Sequence, residues 1–267
     1  MEARTEPVWK GSWRLLAVAL VPLAMSSVAL GSDVKESAGS FESGGKTIAV
    51  DRYAQSSQPN NDAKPKLPAV IIVHGAGGLN EHAEAYKKYA QDLAGAGYVA
   101  FVVHYFDRTE TKTSNDKIIR MNFLTWMKTL QDAATYVEKQ PNVDDKKIGL
   151  LGFSLGSFLS LATAARDPRF GAVVEYFGGY PGPLAAMVQK MPPTLILHGE
   201  DDKSVSVEEA HKLESLLKNK HATYEIKLYP GQGHGFTGED SNDAKKHAMA
   251  FFDKYLKNAQ AAPAQSK

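Results

Sequence analysis

The stretch that most constrains this chain is Ile148-Gly149-Leu150-Leu151-Gly152-Phe153-Ser154-Leu155-Gly156, which continues as Ser157-Phe158-Leu159-Ser160. It reads as a buried strand, a Gly-x-Ser-x-Gly turn and a helix of small residues. A serine hydroxyl is a poor nucleophile unless the backbone presents it and a base takes its proton. A sharp strand-to-helix turn presents it, and leaves no room for a Cβ two residues to either side. Gly152 and Gly156 meet that demand. The five-residue pattern alone is weak; the strand before it and the helix after it give it weight.

Composition narrows the classes. The chain has 267 residues, 43% hydrophobic and 23% charged, in keeping with a single α/β domain. Lys plus Arg number 31 against 30 for Asp plus Glu, so no basic surface is implied for nucleic acid or an anionic membrane. With no cysteine, disulfides, thiolate metal sites and a cysteine nucleophile are excluded.

Lys10 and Arg14 precede the apolar run Leu15–Met25, and the small residues Ala29 and Gly31 follow it. This is the pattern of a secretory signal, expected to occupy residues 1–31 and to be cleaved near Gly31. Interrupted by Pro22, Ser26 and Ser27, the run falls short of the ~20 residues that a membrane span needs. The expectation is therefore an exported protein, periplasmic or secreted, without stable membrane association once the signal is removed. Export also argues against cytosolic nucleotides as co-substrates, and no cofactor is expected.

Residues 32–46 are Ser/Gly-rich and read as a flexible leader. Gly45-Lys46-Thr47 resembles the end of a phosphate-binding loop, but no strand precedes it and the first glycine position holds Ser40. Residues 56–66 read as a turn-rich loop. From there apolar runs alternate with helical periodicity. Strands are expected at Ala69–Val73, Tyr98–Phe106, Ile148–Gly152, Ala172–Phe177, Thr194–Leu197 and Tyr224–Tyr229. Ala83, Tyr86, Ala90 and Leu93 mark one helix face. Ile119, Phe123, Trp126, Leu130, Ala133 and Val137 mark a second, longer one. A Ser206/Glu209 capping box opens a helix to Leu217, Asn242–Lys257 forms the last helix, and 258–267 reads as a disordered tail. Such alternation specifies a mostly parallel sheet with helices on both faces, spanning residues 47–257. On such a sheet, ligands sit beyond the C-terminal strand ends.

Three of the eight histidines precede glycine at or after such ends: His74-Gly75, His198-Gly199 and His234-Gly235. The turn His74-Gly75-Ala76-Gly77-Gly78 can aim backbone N–H groups at an oxyanion. It fails as a dinucleotide turn because Asn80 holds the third glycine position. His74 itself is read as a brace of that loop, and His198 as a satisfied strand-end residue. His234, in the glycine-rich loop between last strand and last helix, is poorly explained by packing and is read as a base. In Glu200-Asp201-Asp202 the preferred partner for that base is Asp202, with Asp201 its rival, because Ser206 already serves the next helix. No His-Glu-x-x-His or comparable ligand cluster points to a metal.

The order Ser154, Asp202, His234 is nucleophile, acid, base, as in α/β-hydrolases. The chain resembles that superfamily and, within it, the dienelactone hydrolase family. The resemblance covers roughly residues 45–257. It rests on His74-Gly75-Ala76-Gly77, Gly152-Phe153-Ser154-Leu155-Gly156, Gly199-Glu200-Asp201-Asp202-Lys203-Ser204-Val205 and Gly233-His234-Gly235-Phe236. It implies an α/β-hydrolase fold with no large cap domain, in keeping with the short connection from Phe177 to Pro193. The family's name-giving enzymes carry a cysteine where this chain has Ser154, so the chain looks more like the esterase members.

The expected mechanism is attack by Ser154 on an ester carbonyl, with His234 as base and Asp202 orienting it. The backbone N–H groups of Leu155 and Ala76 are expected to form the oxyanion hole. Tyr105, Phe153, Tyr176 and Tyr180 are candidate pocket walls. Arg108 is a candidate for a substrate carboxylate, against an ion pair with Asp107 that braces the loop. Short connections favour small or accessible esters. The expected partner is a small-molecule ester; rival readings are a serine peptidase or acyltransferase on the same fold, and a non-catalytic binding protein.

Overall fold

The computed structural model describes residues 33–56 and 65–258. The expected signal, the loop around residues 57–64 and the tail beyond Asn258 lie outside the described residues. Among the described residues eight strands form one sheet: β1 (Val34–Ser43), β2 (Lys46–Gln55), β3 (Leu67–Val73), β4 (Val99–Val103), β5 (Val143–Phe153), β6 (Phe170–Tyr176), β7 (Thr194–Gly199) and β8 (Tyr224–Tyr229). Their spatial order is β1-β2-β4-β3-β5-β6-β7-β8. β2 pairs antiparallel with β1 and β4, and every pairing from β4 onward is parallel.

The helices are α1 (Gly78–Gly95), α2 (Asp116–Glu138), α3 (Leu155–Ala164), the single turn α4 (Gly182–Ala185), α5 (Glu208–Asn219) and α6 (Gly238–Phe252). Successive strand side chains point to opposite faces, and the two faces carry separate cores. Ala69, Ile71 and Val73 pack with Trp126 and Leu130 of α2, Leu159 of α3 and Leu213 of α5. Val70 and Ile72 pack with Ala90 and Leu93 of α1 and Phe251 and Phe252 of α6. With helices on both faces and no large cap among the described residues, this is the expected α/β-hydrolase fold.

Four local expectations are corrected. Residues 32–46 are not a flexible leader: Val34–Ser43 is a strand paired along its whole length with β2. Gly44 and Gly45, the latter from the stretch that resembles a phosphate-binding loop, make its hairpin turn at φ of 50° and 76°, values suited to a two-residue connection. β1 is polar because it edges the sheet, and Phe41 anchors it by stacking on Tyr136 with ring centroids 5.6 Å apart.

The strand expected to reach Phe106 ends at Val103 and gives way to a 3₁₀ turn, Tyr105–Thr109. No capping box opens α5. Ser206 Oγ accepts Glu208 N–H at 3.3 Å, while Glu209 turns to Lys212. The last helix begins at Gly238, ahead of Asn242. In the long α2 stripe only the part from Trp126 onward is core; Ile119 and Phe123 are half-buried.

Candidate active site

β5 ends in the turn that the sequence describes. Ser154 adopts φ 53° and ψ −119°, a conformation costly for a residue with a Cβ. The neighbouring backbone holds it there. Ser154 N–H donates to Tyr176 O at 2.9 Å, and Ser157 N–H donates to Ser154 O at 2.8 Å. A Cβ on Gly156 would lie 2.1 Å from Val73 O, and one on Gly152 would lie 2.5 Å from Gly156 O. Both obstacles are backbone, so the glycines are required by close approach of strand and helix.

Two loops complete the constellation. His234, on the loop between β8 and α6, has its Nε2 2.9 Å from Ser154 Oγ. Its Nδ1 lies 2.7 Å from Asp202 Oδ2. A carboxylate only accepts, so Nδ1 carries the proton and Nε2 is left to accept from the serine hydroxyl. Asp202 is buried, and its other oxygen, Oδ1, accepts Ser204 N–H at 2.8 Å and Val205 N–H at 2.9 Å. Asp201 is exposed and engages the His234 loop only by donating its N–H to Gln232 O. Of the two candidate acids, Asp202 faces the imidazole.

His198 steadies this wing. Its Nε2 donates to Val205 O at 2.8 Å, and burial lowers its pKa, which keeps it neutral. His74 does the same for the first loop. Its Nδ1 donates to Gly75 O at 2.9 Å, its ring stacks on Tyr105 at 4.1 Å, and burial pushes its pKa down to about 4.

Leu155 N–H opens α3 and so has no intrahelical acceptor. Ala76 is fixed through its carbonyl, which accepts Ser114 N–H at 2.8 Å. Among the described residues neither N–H donates to a protein acceptor. Gly75 separates the two loops closely, since a Cβ there would touch Ser154 Cβ at 3.4 Å. Gly75 N–H donates to Tyr86 Oη at 3.1 Å, a brace not legible from the helical period, which places Tyr86 only on a buried helix face.

A cavity of about 1160 Å³ opens over Ser154 and His234. Phe153 and Tyr176 line it. Tyr105, Tyr180 and Arg108 do not, and those three expectations are corrected. Tyr105 is fully buried and its hydroxyl donates to His74 O at 2.9 Å, so it supports the loop from beneath. Tyr180 is buried in the core on the α2 face. Arg108 donates to Gly44 O at 2.6 Å, while Asp107 accepts Ala49 N–H, so each braces the β1–β2 hairpin side through backbone rather than through an ion pair. The sequence reading missed Phe177 and Phe236 as cavity walls. Phe177 packs on the His234 ring with centroids 4.9 Å apart.

Residues 54–261 match the dienelactone hydrolase family. The chain belongs to that family. It is thus a member of a hydrolase family, and its relatives agree. A carboxymethylenebutenolidase homolog of Xenopus tropicalis is 30% identical over 183 residues, which is 64% of this chain and 72% of that protein. The crystal structure of a dienelactone hydrolase-like promiscuous phosphotriesterase from metagenomic libraries superposes with a TM-score of 0.71 at 18% identity, covering 84% of this chain and 99% of that one. The acylaminoacyl peptidase of Pyrococcus horikoshii superposes with a TM-score of 0.69 at 17% identity, over 86% of this chain and 43% of the peptidase. These two structures share the fold.

Proposed function

We propose that this dienelactone hydrolase family member is a serine esterase that cleaves carboxylic esters through an acyl-enzyme. The observation that carries the reading is the relay Ser154 Oγ, His234 Nε2, His234 Nδ1, Asp202 Oδ2, with links of 2.9 and 2.7 Å. Ser154 Oγ forms a bond to the ester carbonyl carbon as its proton passes to His234 Nε2. The carbonyl oxygen, now negative, is met by the N–H groups of Leu155 and Ala76. The bond to the alcohol oxygen then breaks, and His234 gives that oxygen the proton. Water, deprotonated by the same nitrogen, adds to the acyl carbon; the bond to Ser154 Oγ breaks as His234 returns the proton to that oxygen, and the acid is released. Asp202 holds the imidazole in the required tautomer and stabilises it when charged.

The carboxymethylenebutenolidase name of the amphibian relative supports an ester-type carbonyl as the target. Labelling of the folded protein by a fluorophosphonate at Ser154, with turnover of simple esters that Ser154→Ala abolishes, is the expected result. Absence of labelling in folded protein would leave a binding protein on a hydrolase scaffold. Preferred turnover of peptides, or acyl transfer to added alcohols, would replace the esterase assignment. The reading extends to export, with residues 1–31 as a cleaved signal. The N-terminal sequence of the mature protein tests it, and a mature chain that retains Met1–Gly31 would overturn it.

A further inference from the structure

The two neighbours of Ser154 in sequence belong to opposite halves of the protein. Leu155 is part of the core on the α2, α3 and α5 face, whereas Phe153 packs against the core on the α1 and α6 face. The nucleophile therefore stands on the divide between the two cores, at the C-terminal end of an interior strand of the sheet. The cavity above it repeats the division. Ile119, Phe123 and Leu184 form a wall continuous with the first core. Tyr176, Phe177 and Phe236 form the facing wall, continuous with the second core and joined by ring contacts of 5.6 to 5.9 Å.

The charges around this space leave a positive excess of only one, since two lysines share a single carboxylate, and each of those lysines is already engaged. Lys88 and Lys245 line it, but both are bonded to Asp92. Arg120 and Asp116, both exposed at the start of α2, contribute one charge of each sign. At about 1160 Å³ the cavity exceeds the roughly 300–1,000 Å³ that commonly holds one small ligand.

We propose that the substrate is an uncharged ester with two bulky apolar arms, its acyl chain lying along Ile119, Phe123 and Leu184 and its aryl-bearing alcohol along Phe177 and Phe236. This rests on the esterase reading and deepens it. At a tetrahedral carbon bonded to Ser154 Oγ, with one oxygen directed to Leu155 and Ala76 N–H, two substituents remain and must diverge. The alcohol oxygen has to receive its proton from His234 Nε2 when its bond to carbon breaks. That imidazole leans on Phe177, so the alcohol follows the aromatic wall and the acyl chain takes the other.

The test is a matrix of kcat/KM values. An acyl series from acetyl to octanoyl is measured on ethyl esters, and ethyl is compared with 2-phenylethyl on acetates, two alcohols of similar leaving ability. Both directions should gain at least about tenfold, as a few buried methylenes or one ring would give in an apolar site. Phe123→Ala should erase the gain of the acyl series and leave the alcohol ratio intact. Ala85→Trp, which adds bulk on the exposed cavity side of α1, should erase the alcohol ratio alone. Phe236→Leu should reduce the same ratio.

A flat matrix, a preference for an anionic hemisuccinate ester, or both walls acting on one series would overturn the proposal while Ser154 still took the fluorophosphonate. Loss of labelling together with loss of all ester turnover would instead mean that the esterase reading itself had failed.

Discussion

Glu175 Oε2 accepts the N–H of Gly178 at 2.8 Å, while Glu175 Oε1 is buried with no partner among the described residues. The carboxyl sits at the end of β6, immediately behind the serine turn. Burial pushes its pKa up to about 8 from an ordinary 4.5, against the opposing effect of the Gly178 N–H and the Ser157 hydroxyl. The folded protein thus keeps this proton over a range where the unfolded chain has lost it. Across that window the unfolded state binds fewer protons, so the group's contribution to stability falls as pH rises from about 4.5 through about 8. Urea midpoints between pH 5 and pH 9 should decline for the native protein relative to Glu175→Gln, which cannot ionise. All other groups are common to the two proteins, so parallel curves would show that Glu175 ionises normally.

Asp202→Asn should lower kcat by about 10⁴-fold, because an amide cannot enforce the Nδ1–H tautomer of His234. The carboxylate's other contacts, to Ser204 and Val205 N–H, are ones an amide oxygen can keep, so the thermal midpoint should change little. Asp201→Asn, one residue away and exposed, should leave kcat within about twofold. Steady-state rates on one good ester decide between the neighbours, and the reverse order would move the acid to Asp201.

Much of the fold and the relay was legible because the signals were local. The serine turn needs two glycines at fixed offsets, and β3 to β8 follow from apolar runs bounded by breakers. Residues whose role depends on distant partners were not legible. β1 reads as a leader because half of its residues are exposed and only Ser43 is buried, and only pairing with β2 makes Val34–Ser43 a strand. Ile119 and Phe123 continue a helical stripe whose later members are core, and nothing in the period says where core gives way to cavity. Tyr105 reads as a pocket residue because it lies near a strand end, yet the chain bends into a 3₁₀ turn there and carries the ring beneath His74. Phe177 was visible as the last residue of a strand. Its left-handed backbone, φ 43°, swings it onto His234, and a sequence does not announce that.

Tyr86→Phe removes the acceptor of the Gly75 N–H, the residue before Ala76 in the first loop. Leaving that buried donor unpaired costs about 1–3 kcal/mol of stability. The same change loosens the peptide that carries the Ala76 N–H, which we propose meets the oxyanion. An interaction stronger in the transition state than with bound substrate appears in kcat rather than KM. We expect kcat to fall roughly tenfold with KM little altered, measured on a small ester that does not reach the Tyr86 ring. A rise in KM at constant kcat would make Tyr86 a wall of the cavity and nothing more.

The serine turn should store strain that glycine releases. Ser154 at φ 53° and ψ −119° occupies a region that costs a residue with a Cβ about 1–3 kcal/mol. Ser154→Ala removes the hydroxyl but keeps the Cβ, so it keeps the strain. Ser154→Gly removes both, and the extra freedom of glycine in the unfolded chain takes back about 0.5–1 kcal/mol. Both variants should be inactive, and the glycine variant should be the more stable by about 1 kcal/mol, or roughly 2–4 °C in Tm for a domain of this size. Calorimetry of the pair isolates the backbone because the lost chemistry is the same in each. Equal midpoints would mean that the turn holds its serine without cost, and that Gly152 and Gly156 have already absorbed the whole steric demand.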